Sequence, residues 1–299
     1  MDIQKQLKEN KIRINYKNLY EKEKENNKNI KNILEIKSKE LEELKNILEI
    51  KSKNQNHKKG ALCSISGHNY EKQIYDIIKK CKINGKLFNT QKEEELAGSS
   101  NKKDIICNFT NVKDIGIEIK KYNTPDWMQC SIKFDNKTKK WISSKGKNPE
   151  NCRKIFDDLI NNIDLYNGDV PPFMKNPITH EEWIKIKKET KKWNDVYIDI
   201  PKDTIRRLYF VKDCKYIQIS NNHGLYCLEE DICNFNVPLF EVEQLRIRTK
   251  IHSRKNKKGF CSLSVTASCK PINIKQLIPS KYSLDNKDKL PLNLIYDFD

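Results

Sequence analysis

The sequence predicts an α/β protein: a mixed central β-sheet flanked by helices, preceded by an N-terminal helical arm and followed by a strand-rich C-terminal region. Three observations predict it. Residues 1–59 contain no proline, glycine or tryptophan and repeat a nine-residue segment. From Ala61 onward, segments of helical period alternate with short runs of alternating polarity. Beyond Trp193 alternating runs dominate. With 36% hydrophobic residues in a chain of 299, a buried core is affordable.

The arm comes first. Lys31–Lys39 recur unchanged as Lys45–Lys53, an offset of 14 residues, or two heptads. Leu34, Leu41 and Leu48 therefore share one heptad position, with Ile30 and Leu44 on the other seam position and Lys37 interrupting it. This is the pattern of an amphipathic helix able to pair with a second copy. Asn54–Gly60 reads as a linker, which sets domain boundaries at 1–59, 60–169 and 170–299.

In the second segment, Ser66–Asn69 precedes a helical repeat through Tyr70, Ile74, Ile77 and Ile78, with Glu71 in its first turn. Asp104–Phe109 and Asp114–Lys120 read as strands joined by a turn near Asn111–Lys113. A short helix carrying Trp127 and Gln129 follows Pro125, then a strand through Ile132 and Phe134, then a helix from Asn148 to about Tyr166. Asn167–Pro172 is the clearest internal break. Thr179–Glu182 has the form of a capping box opening a helix through Trp193. Strands follow at Tyr216–Ile219, Gly224–Leu228 and from Leu245.

Composition narrows the function. Lys and Arg number 58 against 41 Asp and Glu, a net charge of +17 that favours a polyanionic partner. Seven of the basic residues are arginine and 51 lysine, so the placement of arginine is more informative than the total. Apolar runs are far shorter than the roughly 20 residues of a membrane span, and there is no signal-peptide core. An intracellular protein is expected, in the cytoplasm or, in a eukaryotic host, the nucleus, with no membrane partner. None of the ten cysteines forms a Cys-x-x-Cys pair, so free thiols are expected rather than disulfides or a zinc ribbon. No glycine-rich phosphate loop is present, which argues against use of ATP.

The chemistry concentrates in Asp104, Glu118 and Lys120. Ile115, Ile117 and Ile119 point to one face of their strand, which puts Glu118 and Lys120 on the other. A hairpin centred between Asn111 and Val112 would pair residues whose numbers sum to 223, setting Asp104 opposite Ile119 and beside Glu118. Two carboxylates and an ammonium thus converge. Mg²⁺ takes one or two protein carboxylates and keeps room for water and a phosphate oxygen. A lysine beside it can orient the attacking water and offset developing charge.

These residues resemble the PD-(D/E)xK nuclease superfamily. Lys103-Asp104 matches its first element, without the proline, and Glu118-Ile119-Lys120 its second. The resemblance covers residues 66–165 and implies a restriction-endonuclease-like core. It implies Asp104 and Glu118 as Mg²⁺ ligands joined by the Ile119 carbonyl, Lys120 as the group that orients or activates water, and Glu71 as an upstream acid reaching a metal through water. Gln129 resembles a glutamine that some members carry after the lysine, and is counted among the DNA contacts. The implied activity is a type II restriction-like DNA endonuclease, leaving 5′-phosphate and 3′-hydroxyl ends and acting on double-stranded DNA as a homodimer. A repair, recombination or homing-type nuclease shares the chemistry; a non-catalytic DNA-binding or coiled-coil protein is the alternative of another class.

Residues 245–254 form the second constellation. Alternation places Arg246, Arg248, Lys250, His252 and Arg254 on one face, with a return strand after a turn at Lys255–Gly259. A guanidinium offers a two-donor fork suited to phosphate or guanine, so this ribbon is expected to contact DNA. His223, Cys227 and Cys233 match no common zinc spacing; Asp195, Asp199 and Asp203 read as surface or cap carboxylates. The four tryptophans read as core.

Overall fold

The computed structural model describes residues 2–89, 91, 103–109, 112–124, 126–144, 148–242, 244–255, 261–271 and 277–297. The chain is a mixed α/β protein that divides into two compact units, Met1–Ser64 and Ile65–Asp299. The sequence break at 167–172 falls inside the second unit.

Helix α1 runs from Asp2 to Ile78. The expected linker at 54–60 and the expected helix start near Tyr70 are both corrected by this: the segment between is helical. It contains no proline, and a glycine inside a helix costs only about 1 kcal/mol. In the first unit the described apolar side chains of the arm are exposed, among them Ile30, Leu34, Leu41 and Leu44 at 53–64%. Leu48 lies outside the described side chains. Lys37–Glu40 and Lys39–Glu35 pair along the helix at 2.9 and 3.1 Å.

Among the described residues, three sheets organise the second unit. A four-stranded mixed sheet has the order β3-β4-β8-β9, from β3 (Ile105–Phe109), β4 (Val112–Lys120), β8 (Cys214–Ile219) and β9 (Gly224–Cys227). β4 is antiparallel to β3 and parallel to β8, and helix α5 (Thr204–Phe210) leads into β8. A five-stranded antiparallel sheet has the order β6-β5-β11-β10-β7. Its strands are β5 (Met128–Asp135), β6 (Lys140–Ser143), β7 (Val196–Ile198), β10 (Leu245–Lys255) and β11 (Cys261–Cys269). A small third sheet joins β12 (Leu294–Tyr296), β1 (Cys81–Ile83) and β2 (Lys86–Leu87).

The four-stranded sheet is covered on both faces. Ile105, Ile115, Ile117, Ile119 and Tyr216 pack with Tyr70, Ile74 and Ile78 of α1. Ile217, Ile219 and Tyr226 pack with Leu208 and Tyr209 of α5, with Phe156 of α2 (Glu150–Asn161), and with the five-stranded sheet. Because both faces are covered, the face carrying Glu118 and Lys120 looks into a layer of protein rather than into water.

The expected helix over Trp127 and Gln129 is strand. Met128, Cys130 and Ile132 alternate with more exposed neighbours and pair with β11, so the period is two. The helix expected from Asn148 is shorter, ending at Asn161. The short helix α3 (Pro172–Lys175) follows the break, and the Thr179–Glu182 capping box is present and opens α4 (His180–Thr190). All four tryptophans are buried, and the eight cysteines with described side chains are buried free thiols. Among the described residues no helix is long and apolar enough to cross a membrane.

Candidate active site

Asp104 sits in the bend before β3. The hairpin register is Ile105↔Ile117, Ile106↔Gly116 and Cys107↔Ile115, a sum of 222 and not the expected 223. The pair Phe109↔Val112 closes it across a bulge, and that irregularity moves the register by one. Continued by one step, the register sets Asp104 opposite Glu118 rather than Ile119. Residues opposite each other share a face, so the shift brings the two carboxylates together. The Ile119 N–H donates to Asp104 Oδ2 at 2.8 Å. A strand residue directs its N–H and C=O to the same edge, so the Ile119 carbonyl lies on the Asp104 side as well.

Lys120 Nζ lies 2.5 Å from Glu118 Oε1 and 3.7 Å from Asp104 Oδ2, bridging the two carboxylates. Glu118 is 2% exposed, and a carboxylate so buried must be paired. Its second oxygen has a partner that the motif did not reveal: Lys212 Nζ is 3.3 Å from Oε2, and the Cys214 thiol donates to the same oxygen at 3.7 Å. Both ammonium groups also face the Tyr209 ring, Lys120 at 5.6 Å and Lys212 at 5.4 Å from its centroid. The Tyr209 hydroxyl is anchored by donation to the Trp127 carbonyl at 2.8 Å. Tyr209, Lys212 and Cys214 come from α5 and the start of β8, and no spacing in the sequence ties them to the hairpin.

The electrostatics follow from burial and crowding. Burial, reinforced by Glu118 and Glu71, pushes the Asp104 carboxyl up to about 7, against the pull of Lys120 and the Ile119 N–H. Burial also works against the Glu118 carboxylate, but Lys120 and Lys212 outweigh it and hold its pKa below the usual range. For Lys120, burial is outweighed by Glu118, Tyr209 and Asp104, and the ammonium is held well above its ordinary value.

Glu71 does not occupy a first helical turn; it lies two turns before the end of α1. Burial raises its pKa, Lys120 lowers it and Glu118 raises it, which places it within the field of the cluster. His68 Nδ1 lies 3.8 Å from Glu71 Oε2.

The residues can be tested against Mg²⁺. Asp104 and Glu118 are hard oxygen donors on one face, and a divalent cation beside Asp104 would favour the charged form that burial and then Glu118 disfavour. Among the described residues no three His, Cys, Asp or Glu side chains stand as a ready metal-ligand group. Lys120 and Lys212 hold the oxygens of Glu118 instead.

The arginine strand is placed differently from expectation. β10 lies between β11 and β7, and Arg246 is 7% exposed. Arg246 and Arg248 both grip Asp126, which also accepts from Ser268 Oγ and Gln129 Nε2 at 3.1 Å each. Asp195, read as a surface carboxylate, lies 4.0 Å from Arg246 Nε. The basic face of β10 is thus, over Arg246 and Arg248, an internal ion cluster rather than a solvated stripe. Gln129 belongs to that cluster from β5, and Lys250 Nζ reaches its Oε1 at 3.4 Å while remaining exposed. The side chains of His252 and Arg254 lie outside the described residues. His223 is stacked on Tyr122 with ring centroids 5.2 Å apart, and burial lowers its pKa.

Comparison with protein-family models, with curated proteins and with solved structures finds no match to this chain.

Proposed function

We propose that the chain is a Mg²⁺-dependent DNA endonuclease with a restriction-endonuclease-like core, acting as a type II restriction-like enzyme on double-stranded DNA. The observation that carries this reading is the Asp104–Lys120–Glu118 arrangement: two carboxylates opposed across a hairpin and bridged by the lysine two positions after the second. The sheet order supports it, since the hairpin gains a parallel neighbour, β8, across helix α5.

In this reading Asp104, Glu118 and the Ile119 carbonyl would hold the cation, with Glu71 at its outer side. Bound there, Mg²⁺ supplies charge stabilisation at the phosphate and acidifies water. The chain's own part is positional. Lys120, held by both carboxylates, orients the water on the attacking side. Lys212 balances Glu118 and adds positive charge behind the phosphate. Tyr209, Ile217 and Ile219 wall the site from bulk water, which strengthens each of these interactions. The products are 5′-phosphate and 3′-hydroxyl ends. Arm-mediated pairing of two copies would bring two such sites to the two strands.

A non-catalytic reading, in which the cluster is a buried ion network of a DNA-binding protein, draws on one observation: both oxygens of Glu118 are already satisfied by lysines. Plasmid cleavage separates the two. The nuclease reading expects cutting with Mg²⁺ and none with EDTA, and a loss of about 100-fold or more in Asp104→Ala and in Lys120→Ala. Metal-dependent cutting that survives both substitutions overturns the site; DNA binding without any cutting favours the ion network. Discrete bands select the restriction-like enzyme, and a preference for branched or damaged DNA selects the repair-type relative.

A further inference from the structure

Asp126 is asked to serve more donors than its two oxygens can take. Oδ1 accepts from Arg246 Nη2 and Ser268 Oγ, and Oδ2 from Arg248 Nη2 and Gln129 Nε2. An ionised carboxylate offers about four lone-pair sites, so none is left over. The guanidinium groups are not exhausted. Nε of Arg246 and Nε of Arg248 are both buried and have no hydrogen-bond partner among the described residues. Asp195 stands 4.0 Å from Arg246 Nε, beyond hydrogen-bond reach. A buried donor without an acceptor is costly, so the cluster holds fewer acceptor oxygens than it can use. With Lys250 on the same strand face, three cations face Asp126 and Asp195, a net charge of +1.

Exposure decides which cation can change partners. The Arg246 side chain is 9% exposed and lies between Asp126 and Asp195, whereas that of Arg248 is 25% exposed. Arg248 pairs with Thr266 of β11, and Thr266 with the exposed Ser131 of β5, so the three share one row across the sheet. Lys250, also exposed, follows on the same face about 7 Å along the strand at roughly 3.4 Å per residue. The outer side of the cluster thus presents a guanidinium, a hydroxyl and an ammonium. A planar two-donor fork beside a point charge suits the oxygens of a phosphodiester backbone. The cluster also adjoins the carboxylate site: the Trp127 carbonyl, one residue after Asp126, accepts from the Tyr209 hydroxyl, and the Tyr209 ring faces Lys120.

We propose that Asp126 is an internal stand-in for a DNA phosphate. On binding, Arg248 releases the carboxylate and turns its fork to the duplex backbone, while Arg246 keeps Asp126 in place. The inference rests on the DNA reading above and deepens it by naming the contact and the carboxylate that competes for it. It is tested on the full chain by fluorescence anisotropy with a labelled DNA duplex in EDTA, so that cleavage plays no part. Arg248→Gln is compared with Lys86→Gln, and Asp126→Asn with Glu229→Gln; each control makes the same charge change at an exposed residue outside the cluster. Circular dichroism verifies that each protein is folded. Arg248→Gln is expected to bind at least about fivefold more weakly than its control, with the slope of log K against log salt reduced by roughly one. Asp126→Asn, freed of the competing charge, is expected to bind at least about threefold more tightly than its control. Equal or weaker binding by folded Asp126→Asn overturns the exchange, as does control-like affinity and slope in Arg248→Gln, and either result leaves the nuclease reading standing. If Asp126→Asn does not fold, Arg248→Gln decides alone. Failure of the wild-type chain to bind duplex overturns both readings.

Discussion

Lys212 Nζ lies 3.3 Å from Glu118 Oε2, on the carboxylate oxygen opposite the one held by Lys120. Glu118 is thereby suspended between two ammonium groups in a site nearly closed to water. Replacing Lys212 by Met removes one of them and leaves the carboxylate half-paired. Breaking a buried pair from one side costs about 3–5 kcal/mol, and urea unfolding should show a loss of that order. Glu118→Gln/Lys212→Met should recover part of it. A Lys212→Met protein as stable as wild type would remove Lys212 from the cluster.

Asp104 gives the protein a pH dependence of unusual sign. Its carboxyl is pushed up to about 7 by burial, Glu118 and Glu71, from an ordinary value of 3.8. Between those values the folded protein keeps a proton that the unfolded chain has released, so stability falls as pH rises through this window and levels off above it. Asp104→Asn removes the ionisation and keeps an acceptor for the Ile119 N–H. In EDTA, its stability relative to wild type should grow from pH 4 to pH 7 by up to about 4 kcal/mol, at 1.36 kcal/mol per pKa unit. Urea curves at the two ends of the window measure this; a constant difference between the proteins would contradict it.

Asp126 pairs with two guanidinium groups and accepts two further hydrogen bonds. Asp126→Ala should therefore cost about 3–5 kcal/mol, well beyond an ordinary surface substitution. Arg246→Met in the same background should restore part of the loss, and a double-mutant cycle should give a coupling of about 0.5–3 kcal/mol. Additive effects would show that the two side chains do not depend on each other.

Gly116 marks the point where β8 enters the sheet. A Cβ there would stand 2.6 Å from the Asp213 carbonyl oxygen and 2.8 Å from Lys103 Cδ. The lysine can move aside; the backbone of the turn between Lys212 and Cys214 cannot without shifting both. Gly116→Ala should lower stability by about 1–3 kcal/mol, read from the denaturant midpoint. It should reduce Mg²⁺-dependent cleavage further than Gly85→Ala, a substitution that strains the backbone of an exposed turn away from the cluster, because the displaced turn carries Lys212. Full activity in Gly116→Ala would separate the turn from the chemistry.

In the arm, Leu34 and Leu41 share a heptad position and are 64% and 54% exposed. Pairing with a second copy would cover them. Leu34→Lys/Leu41→Lys should convert a dimeric mass to a monomeric one in sedimentation without changing the folding of the second unit. An unchanged dimer assigns association to another surface.

Alternation alone was enough to place Glu118 and Lys120 on one face and Asp104 near them, because side-chain direction in a strand has a fixed period. It misses the register by one residue because the strands close at Phe109↔Val112, a sum two below the expected 223 of which the bulge restores one, and neither feature leaves a mark in polarity. It also finds the β10–β11 hairpin, yet assigns Arg246 and Arg248 to DNA contact without a sign of their internal partner. Polarity identifies faces, whereas what lies against a face, here Asp126 from the segment just before β5, depends on strand order. Lys212 illustrates the same limit: it stands 94 positions from Glu118, and only the parallel docking of β8 brings it near. The helical continuity of residues 54–69 was hidden by Asn, Ser and Gly, which favour turns but do not compel them.

That parallel docking has a consequence for how the protein is made. A parallel neighbour requires a long crossover and loop closure before its contacts repay the entropy lost. A chain emerging from the ribosome displays Asp104, Glu118 and Lys120 long before Lys212 and β8 are synthesised. Until then the carboxylates have no second ammonium and no wall against water. The cluster therefore matures late in biosynthesis, and a nascent or truncated chain ending before residue 212 carries the motif without the chamber that tunes it.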